Sequence, residues 1–159
     1  MLHVMMVGVR RFLVLCAVGA ILLATQAGNT APRAWVRGPV AQAGMIATVI
    51  GHGSHPIQVL TRRCANVRDE TGCARISRSL RHAIEDAVDA PIVWVHRKWR
   101  HAGTYWVFSP FAWNGDHARL RYAWRYPTPG DCFGGGKGTF TLTGGAWEES
   151  GGSGYFGCS

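Results

Sequence analysis

The stretch ARISRSLRHAIEDAVDA, residues 74–90, decides how the rest of the chain is read. Its apolar positions, Ile76, Leu80, Ala83, Ile84, Ala87 and Val88, recur with the 3.6-residue period of a helix, while Arg78, Arg81, His82, Glu85 and Asp89 take the other side. Pro91 stops the pattern, because proline has no N–H to donate and its ring clashes with the preceding turn. A short helix with one apolar stripe gains most of its stability from what that stripe packs on.

The residues that follow supply the partner. IVWVHRKW (92–99), TYWVFSPFAW (104–113), HARLRYAWRY (117–126), GTFTL (138–142) and AWEES (146–150) are rich in valine, threonine and aromatics and are separated by turn residues. Asn114-Gly115 and Gly144-Gly145 are dipeptides that two-residue hairpin loops select, since the central positions take positive φ. Within 117–126, Ala118, Leu120, Tyr122, Trp124 and Tyr126 share one face and Arg119, Arg121 and Arg125 the other. The sheet therefore has a dry side, which the helix should cover, and a wet side.

The expected fold class is α+β: one amphipathic helix packed on an antiparallel meander of four to six strands. That order of elements, over residues 74–158, resembles the cystatin-like and NTF2-like small folds. The stretch carries no motif of either family, so the resemblance implies a layout and no function. Upstream, HPIQVLTRRC and GMIATVIGHG hold short β-branched runs that read as two short strands or one irregular one. Residues 28–43, with two prolines, two glycines and no sustained period, read as a flexible lead-in to a single domain at 44–159.

The N-terminus has the order of a cleavable signal peptide over residues 1–27: Arg10-Arg11, an apolar run at 12–24, then small residues ending at Ala27. A membrane-crossing helix takes about 20 residues, more than this run holds, so no permanent span is expected after cleavage. The expected location is secreted or periplasmic. Cleavage would remove Cys16 and leave Cys64, Cys73, Cys132 and Cys158, an even set that implies two disulfides in an oxidising compartment. Three pairings exist; Cys64–Cys73 with Cys132–Cys158 is favoured because it needs no long crossing of the chain. A zinc site is disfavoured, since Cys64 and Cys73 are spaced C-x8-C and no C-x2-C occurs.

GDCFGGGKGTFTL, residues 130–142, comes nearest to a recognised chemical motif and fails it. A phosphate-binding P-loop needs G-x-x-x-x-G-K-[ST], yet with Gly136-Lys137 in register the first glycine is replaced by Asp131 and the hydroxyl residue by Gly138. The segment reads instead as a flexible loop tethered by Cys132 that leads into a strand. His52 and His55 lack a third ligand nearby, and Asp116-His117 are neighbours whose side chains a strand would send to opposite faces. Glu148 and Glu149 are adjacent, so the pleat separates them and a glycosidase dyad is unsupported. No cofactor or metal is expected.

The chain carries 17 basic against 9 acidic residues, and the leader would remove two of the basic ones. A basic surface outside the cytosol favours envelope lipids, glycans or acidic proteins over nucleic acid. The candidate binding residues are Arg97, Trp99, Arg119, Arg121 and Arg125. Guanidinium groups fork to carboxylates or phosphates, and aromatic rings stack on sugars. If 92–99 and 117–126 lie in one sheet, their wet faces form a cationic stripe edged by indoles. The function expected is an exported non-enzymatic binding or inhibitor-like module for an anionic glycan, lipid head group or acidic protein. The alternative is a secreted hydrolase whose cleft is built from His96, His101 and His117.

Overall fold

A computed structural model of the chain describes residues 33–51, 55–96, 104–125 and 132–158. The chain divides into two units, Met1–Arg33 and Ala34–Ser159, and among the described residues the core and every strand belong to the second. The fold class is α+β, with two helices of ten residues or more, a single helical turn and a sheet of eight strands among the described residues.

The turn α1 (Arg33–Val36) leads into α2 (Pro39–Ile50). This helix corrects two expectations, since residues 28–43 read as lead-in and GMIATVIGHG as strand. Pro39 stands in the first turn, where a missing N–H leaves no hydrogen bond unmade, so Gly38-Pro39 starts a helix rather than a loop. The β-branched residues at 46–50 favour a strand by propensity, but burying Ala43, Met45 and Ile46 against the rest of the core outweighs that preference. Helix α3 (Arg78–Ala87) is the one the sequence announces. Ser77 caps it, its hydroxyl accepting from the Leu80 N–H at 3.2 Å, and Ile76, Leu80, Ile84 and Val88 are all buried.

The strands are β1 (Ile57–Asn66), β2 (Thr71–Arg75), β3 (Ile92–Val95), β4 (Tyr105–Phe108), β5 (Ala112–Asn114), β6 (His117–Arg125), β7 (Phe133–Thr143) and β8 (Ala146–Gly157). Their order is β2-β1-β4-β6-β7-β8, with β3 also on β1 and β5 also on β6. β3 and β4 run parallel to β1, and the other pairs are antiparallel. The sheet is thus mixed and eight-stranded, not an antiparallel meander of four to six. β3 runs parallel to β1 because α3 carries the chain back between β2 and β3, the crossover that a parallel pair requires. The consecutive strands β5, β6, β7 and β8 do form an antiparallel meander within the sheet.

Two hairpin loops were expected. Gly144 and Gly145 both have positive φ, as expected, whereas the other loop falls one residue late: Asn114 pairs with His117, and Gly115, at φ 57°, is the first loop residue. The segment 104–113 is not one strand. Ser109, Pro110 and Phe111 divide it into β4 and β5, with the Ser109 N–H donating to the Arg121 carbonyl and the Ser109 hydroxyl accepting from the Arg121 N–H at 2.9 Å.

The sheet is buried on both faces. On the helix face, α2 and α3 cover a cluster that includes Val59, Phe108, Leu120 and Phe140. On the back face lies a smaller cluster of Leu60, Cys64, Val67, Val95, Tyr105, Val107 and Ala123. Both favoured disulfides are present: Cys64 and Cys73 are cross-strand partners of β1 and β2, and Cys132–Cys158 closes the end of the β7–β8 hairpin just beyond Phe133 and Gly157. Among the described residues, no helix is long and apolar enough to cross a membrane.

Candidate functional site

Strand β6 alternates as its sequence requires. Ala118 and Leu120 are buried in the helix-face core, so Arg119 and Arg121 point to the back face. Pairing then adds a third cation. Arg121 is the register partner of Lys137 on β7, and directly paired residues share a face, so Lys137 joins the two arginines. Because β4 stops at Phe108 and β5 begins at Ala112, the sheet is interrupted beside these side chains. The gap forms a depression of about 450 Å³, with Arg119, Arg121 and Lys137 on its walls and Ala65, Pro110, Phe111 and Ala112 as its apolar lining.

The three cations are not equivalent. Arg121 donates to the Ala65 carbonyl at 2.9 Å, which holds its guanidinium in place while leaving further N–H donors unused. Arg119 and Lys137 are exposed, and among the described residues their side chains make no hydrogen bond or ion pair. Among the described residues, no carboxylate lines the depression. Three positive charges around one concavity, with no acid to neutralise them, make a site that an anion would complete.

Of the five residues singled out from sequence, the structure brings Arg119 and Arg121 together. Arg125 stands at the far end of β6, where its backbone pairs with Tyr105 and Phe133. Arg97 and Trp99 lie outside the described residues, as does His101. β3 and β6 lie in one sheet with β1 and β4 between them, and the residues expected to carry the stripe on the first of these segments lie outside the described residues. Lys137 escaped the sequence reading because its glycine surroundings look like a loop. Counting back by twos from Thr141 and Thr139 would have put it on their face.

Of the histidines of the alternative reading, the two described ones, His96 and His117, are not brought together. His96 follows β3, with Nδ1 3.4 Å from the Thr61 hydroxyl, and His117 begins β6, with Nδ1 3.2 Å from the Thr141 hydroxyl. Three inter-strand steps lie between them, roughly 14 Å at about 4.8 Å per step. Among the described residues, no three His, Cys, Asp or Glu side chains are grouped to hold a metal ion.

The glycine run, read as a flexible loop, is the first half of β7. Its glycines are there for the rings beside them. A Cβ at Gly134 would strike the Trp124 indole, and one at Gly136 would strike the Ser153 carbonyl and lie 2.8 Å from the Tyr122 hydroxyl. Trp124 and Phe156 then lie with centroids 5.5 Å apart, and Trp106 and Tyr122 with centroids 5.9 Å apart, forming an aromatic strip on the helix face. Burial, and secondarily the charge of Glu149, push the Tyr122 hydroxyl above its ordinary pKa of 10.0.

At the opposite end of the hairpin a second aromatic group holds the N-terminal segment. Trp113 and Trp147 pack with centroids 5.3 Å apart, the Arg37 guanidinium sits 5.4 Å from the Trp113 ring centroid, and the Trp147 indole N–H donates to the Val36 carbonyl. Arg37 also donates to the Gly115 carbonyl at 2.9 Å. These contacts hold Val36 and Arg37 against the sheet despite a composition that reads as linker. No protein-family model matches this chain, and searches of curated proteins and of solved structures returned no match.

Proposed function

We propose that the chain is an exported binding module whose ligand carries a carboxylate or phosphate on a sugar ring, and that the depression between β4, β5 and β7 is where this ligand docks. One observation carries the reading: Arg119, Arg121 and Lys137 surround a largely apolar hollow that, among the described residues, no carboxylate lines. Arginine offers a planar fork to an oxyanion, lysine adds a point charge, and Pro110 and Phe111 present a surface suited to the C–H face of a sugar. Export is supported by the apolar N-terminal run and by two disulfides, which persist in oxidising compartments.

The test uses the oxidised protein on immobilised polyuronate, with a neutral polysaccharide and anionic vesicles as the other two arms. Retention on the polyuronate should weaken steeply with salt and be lost in Arg119→Glu/Lys137→Glu, a pair that takes no anchoring contact from the fold. Arg121→Glu should also lower the unfolding midpoint, because its bond to the Ala65 carbonyl goes with it. Retention unchanged in the double variant removes the site. Binding to vesicles alone would transfer the ligand from glycan to lipid head group.

A further inference from the structure

The two edges of the sheet are built differently. One edge is shared by β2 and β3, of five and four residues, too short to template another strand. The other is β8, twelve residues long, exposed from Glu148 to Phe156, with no strand on its outer side among the described residues. The devices that normally blunt an edge are missing from its second half. Gly151-Gly152-Ser153-Gly154-Tyr155-Phe156-Gly157 contains no lysine, no proline and no charge, and the register irregularity of the hairpin lies before it, between Thr139 and Phe140 of β7. The Cys132–Cys158 bridge pins the end of this segment, so its open N–H and C=O groups stand in an already extended strand.

We propose that residues 151–157 of β8 pair antiparallel with the same residues of a second copy, about a two-fold axis at Gly154. The sequence is complementary to itself in that register. Phe156 of one copy falls opposite Gly152 of the other and Tyr155 opposite Ser153, while Gly154 meets Gly154. The in-chain hairpin already uses the same pairing, with Phe156 opposite Gly134 and Tyr155 opposite Gly135. Large rings opposite residues with little or no side chain pack without clash, and no like charges meet inside the seven-residue ladder. Phe156 is 66 % exposed and Tyr155 45 % in the single chain, and the second strand would cover both. The interface is isologous, so it closes at two copies and the short edges stay outermost. It uses none of the residues of the cationic depression and stands independently of its ligand.

Sedimentation of the oxidised protein over about three decades of concentration should show a monomer–dimer equilibrium. Gly154→Glu is the decisive variant. A Cβ there meets only the Gly135 carbonyl at 3.5 Å, so the side chain fits the monomer, yet it sets two like charges opposite each other at the axis. Its dimer dissociation constant should rise by about fivefold or more. Mixing it with Gly154→Lys should restore association as a heterodimer. Hydrogen exchange should show the amides of 151–157 gaining protection with concentration while those of β2 do not. A wild-type chain that stays monomeric throughout, larger open-ended assemblies, or a Gly154→Glu dimer as tight as the wild type would overturn the proposal.

Discussion

Between the helix face of the sheet and α2 and α3 thirteen residues are buried in one cluster, whereas the back face buries seven and, among the described residues, has no helix over it. The back face makes up the difference with other bonds. Cys64–Cys73 crosses it, and the Tyr105 hydroxyl donates to Glu70 at 2.8 Å. Leaving that face without a helical cover also leaves room for charge, and it is there that Arg119, Arg121 and Lys137 gather. A small domain thus divides its surface: one side of the sheet supplies stability by burial, and the other gives up burial to display cations. The comparison is most sharply tested by one substitution made on each face. Leu120→Ala, at 0 % exposure under the helices, should cost about 4 kcal/mol, and Leu60→Ala on the back face, at 4 %, about 2 to 3 kcal/mol, because a thinner layer collapses more readily into the space left. Urea unfolding of both variants measures the difference; equal costs would mean that the back cluster is as tightly packed as the core.

Removing the bridges comes next in size. Loop-closure entropy gives about 2.5 kcal/mol for Cys64–Cys73 and about 3.5 kcal/mol for Cys132–Cys158, whose sequence separations are 9 and 26. Paired Cys→Ala variants followed by urea unfolding should reproduce that order. If losing Cys64–Cys73 costs more than losing Cys132–Cys158, then its packing in the back cluster, and not the length of loop it closes, sets its contribution.

Much of the helix face was legible in the sequence, and much of the back-face site was not, for a physical reason. A helix stripe and a two-residue alternation are local, so Ile76, Leu80, Ile84 and Val88, and the dry side of β6, could be read directly. The favoured disulfides were legible from loop length. The cationic depression depends on which strands become neighbours, and no local period encodes the placement of β4 between β1 and β6. Helix α2 was hidden because Gly38-Pro39 punctuates both loops and helix starts. The first half of strand β7, 133–137, was hidden because glycine is depleted from strands on average, while here it makes room for Trp124 and Tyr122. With that half missed, Lys137 was missed too.

The glycines of β7 and β8 invite a smaller test of the same contrast between a packed and an open side. Gly134→Ala drives a methyl group into the Trp124 ring and should cost about 1 to 3 kcal/mol, since the indole lies against the strand and must shift. Gly151→Ala meets no atom within 4 Å and should change stability by less than about 0.5 kcal/mol. Thermal unfolding of the pair separates glycines that seat a ring from those that merely occupy the edge. A neutral Gly134→Ala would mean that the aromatic strip adjusts freely.

The smallest expected effect concerns Tyr122, which lies on the helix face at the margin of the core. Burial first, and the Glu149 carboxylate second, disfavour its phenolate, so the hydroxyl ionises at higher pH in the folded chain than in the unfolded one. The sign follows from proton linkage: above pH 10 the unfolded chain releases a proton that the folded chain still holds, so alkali favours unfolding. This contribution is fully present below about pH 10 and is lost as pH rises through the raised folded value. The informative quantity is the difference between the wild type and Tyr122→Phe. The slope of stability against pH, taken from urea midpoints between about pH 9 and pH 11, should be shallower in Tyr122→Phe. Glu149→Gln should remove only the smaller part of the effect, because burial of the ring remains. A wild-type slope equal to that of Tyr122→Phe would show that water reaches the hydroxyl over Gly136 freely, and that the aromatic strip is open where the packing here has it closed.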